Sequence, residues 1–244
     1  MRIDVLTLFP EMYEGMLSSS IIKRAIDKGI VKVHLHNFRD FSLNKHMKVD
    51  DTPYGGGAGM VIAIQPLLDC LRSIPNYEAA YKIITSASGN KYNQAKANSL
   101  SKLAHLIIIC GHYEGVDERI LDYIDEEISI GDYILTGGEL ASQVIIDSVT
   151  RLLPNVIAKE SIIEESFSSS LLEYPQYTKP QSYEGKAVPG VLLSGNHEEI
   201  RKFRRFKALE KTYLKRKDLL EKHKFTNEDK KFLEQIKKAA DGNK

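Results

Sequence analysis

The chain has 244 residues, 42% of them apolar and 27% charged, with a net charge of +1. That balance suits one large or two small domains and excludes disordered or collagen-like structure. The charge is unevenly placed: residues 201–244 carry 16 basic and 7 acidic side chains, net +9, against net −8 for residues 1–200, which favours a polyanionic partner for the C-terminal segment.

Two cysteines, Cys70 and Cys110, cannot build a disulfide framework, and no C-x-x-C or His-rich spacing offers a zinc site. MRIDVLTLFP lacks the basic start and long apolar core of a signal peptide. No stretch nears the ~18 apolar residues of a membrane span. These features point to a soluble, reduced, cytoplasmic protein with no membrane partner.

Ile3–Phe9 reads as a buried strand. A helix follows from the Ser18–Ser20 cap to Gly29, then an alternating strand over Ile30–Phe38. Residues 42–60 are polar, then glycine-rich, and read as a long loop of the functional kind. Ala63–Ile74 predicts a helix with Pro66 in its first turn. Tyr81–Thr85 is a short strand, Lys91–Leu103 a helix, and His105–Cys110 (HLIIIC) a central strand. Asp117–Ile124 is helical, Ile128–Leu135 a strand, and Glu139–Leu153 a helix stopped by Pro154. This alternation implies an α/β fold with a mostly parallel sheet. Proline and glycine punctuate residues 155–196, which read as a linker with short helical turns. Beyond them Ile200, Phe203, Phe206, Leu209 and Tyr213 recur at helical spacing, opposite Arg201, Lys202, Arg204, Arg205 and Lys211. A last helix spans Thr226–Ala240, capped by Thr226 and Asn227.

Three glycine-rich turns sit where strands end: YGGGAGM at 54–60, GHYEGVDER at 111–119 and IGDYILTGGE at 130–139. Ligands of open α/β sheets bind beyond the carboxyl ends of strands. No P-loop is present, and YGGGAGM has neither the register nor the preceding strand of a dinucleotide fingerprint. A ligand there is therefore not expected to be gripped by its phosphates.

The blocks LFPEMY at 8–13, VDDTPYGGGAGM at 49–60, CGHYEGVDERI at 110–120, SIGDYILTGGELA at 129–141, IDSVTRLLP at 146–154 and VPGVLLSGNHEEIRKFR at 188–204 resemble the bacterial tRNA (guanine-37-N1)-methyltransferases, the TrmD family of the SPOUT superfamily. They run in family order over nearly the whole chain. The resemblance implies a SPOUT-type parallel sheet with a deep C-terminal trefoil knot, plus a small all-helical C-terminal domain. The implied domains are a knotted cofactor-binding domain at 1–155, a linker at 156–175 and a basic tRNA-binding domain at 176–244. It implies S-adenosylmethionine as methyl donor, held by Ser86, Gly111, Tyr113, Gly115, Ile130, Gly131, Asp132, Tyr133, Ile134, Leu135, Gly137 and Gly138. It also implies a homodimer, and Mg2+ as a requirement; the sequence shows no defined metal site, and the acidic cluster around the glycine turns is the candidate host.

Moving a methyl group to guanine N1 needs a base for the N1 proton and a cation for the charge that develops on O6. The family pattern places the arginine at Arg151 and the carboxylate at Glu165, with Glu164 as fallback. The family's usual aspartate is one methylene shorter, so Glu165 shifts the base by roughly one bond length. His112 stands where relatives commonly carry arginine. It is either a weakened contact to an anion or a surface residue. The anticodon stem-loop of tRNA is the implied partner, with Asp50, Glu114, Arg201 and Arg204 as substrate-binding candidates; Glu114 has pairing with Arg119 as its alternative. Two other functions stay open: an RNA-binding protein that has lost catalysis, and a SPOUT enzyme acting on ribosomal RNA or a ribose hydroxyl.

Overall fold

The computed structural model describes residues 1–158, 165–167, 170–221 and 223–241. The chain divides into two compact units, Met1–Ile157 and Ala158–Lys244.

The first unit is built on a five-stranded sheet. In chain order its elements are β1 (Arg2–Thr7), α1 (Ser20–Asp27), β2 (Lys32–Asn37), α2 (Ile64–Ser73), β3 (Tyr81–Lys91), α3 (Gln94–Leu100), β4 (His105–Cys110), β5 (Glu126–Ser129) and α4 (Glu139–Thr150). The strand order is β2-β1-β4-β3-β5, and every neighbouring pair is parallel. A parallel sheet must be covered on both faces, which explains the continuous apolar run of β4. Ile108 and Cys110 pack on one side with Ile145, Ile146 and Val149 of α4, while Ile107 and Ile109 pack on the other with Leu67 and Leu71 of α2. Each such fully buried aliphatic side chain contributes about 1.5–3 kcal/mol.

Several expected boundaries move, each for a local reason. The helix expected from Ser18 starts at Ser20, and Ser19 Oγ donates back to the Gly15 carbonyl instead of capping it. Gly29 stops it as expected: its φ of +68° lets Gly29 N donate to Ile26 O and Ile30 N to Ala25 O. The strand expected at 81–85 continues to Lys91 through an outward bulge, because its pairing with β5 slips between Thr85 and Asn90. The helix expected from Lys91 consequently starts at Gln94, where the Asn93 side chain accepts from Lys96 N. The strand expected over Ile128–Leu135 ends at Ser129, since Gly131 takes a φ of +155° and turns the chain out of the sheet. Asp117–Ile124 is a 3-10 helix, Glu118–Tyr123, rather than an α-helix, with the Asp117 carboxylate accepting from Arg119 N. α4 stops at Thr150, with Arg151 as its C-cap. Within the long loop, Asp50–Asp51 forms a two-residue antiparallel ladder with Val61–Ile62.

The second unit contains α5 (His197–Lys215) and α6 (Asn227–Asp241), together with the two-residue strands Ser182–Tyr183 and Lys186–Ala187 and a 3-10 turn at Gly190–Leu193. Its core joins Leu171, Ala208, Leu209 and Ile236, flanked by Phe206, Tyr213 and Phe232. Asn196 caps α5 by accepting from Glu199 N. Thr226 caps α6: its hydroxyl accepts from Asp229 N, and its own N donates to the Asp229 carboxylate. The unit is thus helical with a small hairpin, where helices alone were expected.

Candidate active site

A cavity of about 580 Å³ opens where β3, β4 and β5 end. Three segments form most of its walls: the bulge of β3, the turn 111–116 after β4, and the turn 130–138 between β5 and α4. Main-chain bonds tie the last two together. Gly138 N donates to Gly111 O at 2.8 Å, and His112 and Gly137 form an antiparallel bridge. The glycines are there because the walls are close. A Cβ on Gly138 would overlap Thr85 Oγ1 and lie 2.9 Å from Cys110 Cα, and one on Gly137 would run into the His112 ring and the Glu139 carboxylate.

Every residue expected to hold the cofactor lines this cavity except Asp132. Asp132 points outward and pairs with Lys91 Nζ at 3.1 Å. Sequence reasoning missed Ala87, Ser88 and Glu127, which also line it. Ser88 Oγ donates to the Glu127 carboxylate at 3.3 Å. Ala87 and Ser88 lie in the bulge of β3, and a run of serine, alanine and glycine gives no periodic sign of it.

Glu139 lies beneath the floor, and its burial is the unexpected feature. It opens α4 yet is 1% exposed. Thr7 Oγ1 donates to its Oε1 at 2.8 Å, and His112 Nε2 lies 3.8 Å from its Oε2. The His112 ring is also 5.0 Å from that of Phe9 and 5.3 Å from that of Tyr113. His112 is therefore a wall residue over a buried carboxylate, and the surface alternative is set aside. Below it, the Tyr13 hydroxyl hydrogen-bonds with Ser142 Oγ at 2.5 Å and Cys110 Sγ at 3.3 Å. Burial pushes the Cys110 thiol up to about 12, so it stays protonated and is no nucleophile.

The glycine-rich loop 54–60 leans on the turn after β4. Glu114 N donates to Met60 O, Ile62 N to Gly115 O and Asp117 N to Ile62 O, and a Cβ on Gly59 would overlap the Glu114 side chain. Glu114 faces the cavity and does not pair with Arg119, which instead makes a two-pronged contact with Asp117 at 2.8 and 2.5 Å. Asp50 sits opposite Ile62 in the short ladder.

Arg151 is half-buried after α4, its N–H donating to Asp147 O. Glu165 belongs to the second unit; Glu164 lies outside the described residues. The segment after Glu165 is pinned by Phe167 N donating to Leu171 O, Glu173 N to Ser166 Oγ and Leu172 N to Thr212 Oγ1 of α5. Arg201 is held between Glu198 and Glu228, each in two-pronged contact at 2.8–3.0 Å. Arg204 lies 4.9 Å over the Tyr174 ring. Among the described residues no group of three or more His, Cys, Asp or Glu side chains is arranged to hold a metal ion, so no residue is assigned to Mg2+. Nor is any described helix long and apolar enough to cross a membrane.

The chain is similar over nearly its whole length to known proteins. The chain is 54% identical over 239 residues to the tRNA (guanine-N(1)-)-methyltransferase of Dictyoglomus turgidum, covering 98% of this chain and 97% of that one. It is 56% identical over 234 residues to the protein of the same name from Caldanaerobacter subterraneus, covering 96% and 97%. For the protein of that name from Geobacillus kaustophilus the identity is 52% over 241 residues, covering 98% and 99%. The model of one family, tRNA (Guanine-1)-methyltransferase TrmD, matches residues 1–222. With the family model and whole-length relatives in agreement, the chain belongs to the TrmD family of tRNA (guanine-1)-methyltransferases.

Proposed function

We propose that the chain transfers a methyl group from S-adenosylmethionine to N1 of the guanine immediately 3′ of the tRNA anticodon, position 37. The observation that carries this reading is the cavity itself, lined by the family's cofactor motif at the ends of three adjacent strands. Its chemistry suits the donor. Main chain at 130–135 offers donors and acceptors for a flat ring, Tyr133, Ile134 and Leu135 offer apolar surface, and Glu114 and Glu127 offer negative charge for a cationic ligand.

S-adenosylmethionine supplies an electrophilic methyl group on a sulfonium. The protein's task is to make guanine N1 a nucleophile. The Glu165 carboxylate takes the N1 proton as the new N–C bond forms and the C–S bond breaks with its electron pair returning to sulfur. Arg151 offsets the negative charge that grows on O6. Within the second unit the bonds of Phe167 to Leu171, of Glu173 to Ser166 and of Leu172 to Thr212 fix the backbone just after Glu165.

The deep trefoil knot belongs to the same reading. It is supported by the order β4-β3-β5 at one edge of the sheet and by the bonds that hold 137–138 against the start of the turn after β4. So does the homodimer: Leu140 and Val144, one turn apart on α4, are about half exposed, as is Met12, to whose carbonyl the Gln143 amide donates. Net charge +9 on residues 201–244 supports tRNA as the partner of the second unit.

The test is methyl incorporation from labelled S-adenosylmethionine into an unmodified transcript with guanine at position 37. Incorporation at N1, absent when adenosine replaces that guanine, is the expected result. Binding of cofactor and transcript without incorporation would instead favour an RNA-binding protein that has lost catalysis.

A further inference from the structure

The second unit contains a cavity of its own, about 560 Å³, between the segment 174–181 and α5. That volume falls within the range of small-ligand sites. One wall is aromatic and apolar, with Tyr174, Tyr177 and Leu193; the helix contributes Ile200 and, one turn on, Arg204. Arg204 differs from its neighbours. Arg201 is neutralised by Glu198 and Glu228, and Arg205 by Asp229 at 2.7 Å. Among the described residues Arg204 has no carboxylate partner, and its buried Nε has no hydrogen-bond acceptor. A buried, unsatisfied donor costs stability and asks for an explanation. A guanidinium stacked on a tyrosine ring with no carboxylate beside it has the charge and the donors to take a phosphate.

We propose that this cavity binds one splayed nucleotide of the RNA substrate, separate from the guanine that is methylated. Its phosphate pairs with Arg204 and its base stacks on Tyr177, which is 48% exposed. The inference rests on the tRNA reading above. It also divides the two arginines expected to bind RNA: Arg201 is committed to intramolecular ion pairs, whereas Arg204 is available.

The experiment measures binding of the full chain to the guanine-37 transcript as a function of salt, without methyl transfer. Arg204→Met is expected to weaken binding at least tenfold and to lower the log–log salt slope by about one. Its thermal midpoint should not fall, because the substitution removes the unsatisfied donor. Arg204→Lys should recover part of the affinity. Tyr177→Ala should weaken binding about tenfold with the slope unchanged, and Tyr177→Phe should bind as the parent does. Unchanged affinity in both Arg204→Met and Tyr177→Ala overturns the proposal, as does a loss of affinity that follows a loss of thermal stability or a change in oligomeric state. If Arg204→Met abolishes binding of 5′-GMP and spares the transcript, the cavity serves a free nucleotide and the RNA assignment is wrong. The two readings fail separately: a parent protein that binds but never methylates the transcript sinks the function above and leaves these affinities standing.

Discussion

The chemistry proposed for this chain is concentrated in a few side chains, and two of them can be tested one at a time. A general base contributes about 10²–10⁴-fold. Glu165→Gln is therefore expected to lower the single-turnover rate of methyl transfer by that range, with cofactor affinity retained, while Glu164→Gln stays close to the parent. The reverse pattern would move the base by one residue. Gly138 tests the cavity wall. A methyl group there would press on Thr85 Oγ1, Cys110 Cα and Gly111 N, two of them main-chain atoms that cannot swing away. Overpacking of this kind costs about 1–3 kcal/mol. Gly138→Ala should lower the thermal midpoint and weaken S-adenosylmethionine binding, read by calorimetry; a variant with unchanged affinity would show that the wall has room to give.

Among the elements, β1 and α6 each hold a buried aspartate that makes the fold sensitive to acid. Asp4, in the middle of β1, accepts from Arg2, His36 and His105 at 2.6–2.9 Å. Burial alone would raise its pKa, but the bonds from His36, Arg2 and His105 together outweigh burial and hold it well below its ordinary value. In α6, burial of Asp229 is outweighed in the same way by Arg205 and Thr226. A carboxylate whose folded pKa is depressed stabilises the fold above its unfolded pKa, near 4, and that stability is lost as pH falls towards the folded value. Urea midpoints should therefore drop steeply below about pH 4. Asp4→Asn should be less stable than the parent at pH 7, and its midpoint should fall less between pH 5 and pH 2. Parallel curves for the two proteins would remove Asp4 from the acid transition.

Elements also show what the sequence makes legible. HLIIIC announced β4 because a strand covered on both faces needs an unbroken apolar run, and Gly29 announced the end of α1 because only glycine takes that cap without strain. The continuation of β3 through SASGNK was hidden. Its small polar residues carry no period, and its pairing depends on where Glu127 and Ile128 come to lie; a Cβ on Gly89 would sit 2.5 Å from their main chain. The cavity was legible through its glycine turns, since each marks a close approach. Glu139 was not, because nothing in a helix-opening glutamate tells that Thr7, 132 residues away, will cover it. Asp132 falls outside the wall although its neighbours on both sides line it, because its own side chain turns to Lys91.

At the scale of the whole molecule, the proposed homodimer is supported by apolar surface that one chain leaves uncovered. α4 buries Ile145, Ile146 and Val149 against the sheet and turns Leu140 and Val144 outward, 49% and 47% exposed, while Tyr133 and Ile134 at the cavity rim are 56% and 84% exposed. Apolar side chains clustered on and beside a helix that already has a buried face are what the proposed interface would cover. Because the exposed set reaches the cavity rim, losing the partner should cost more than stability. Val144→Glu places a charge in the contact, where an unpaired buried carboxylate is strongly unfavourable. The variant is expected to sediment as a monomer at micromolar concentration, where the parent sediments as a dimer, and to bind S-adenosylmethionine at least tenfold more weakly. A monomeric variant with full cofactor affinity would confine the site to one chain, and a variant that stays dimeric would move the interface away from α4.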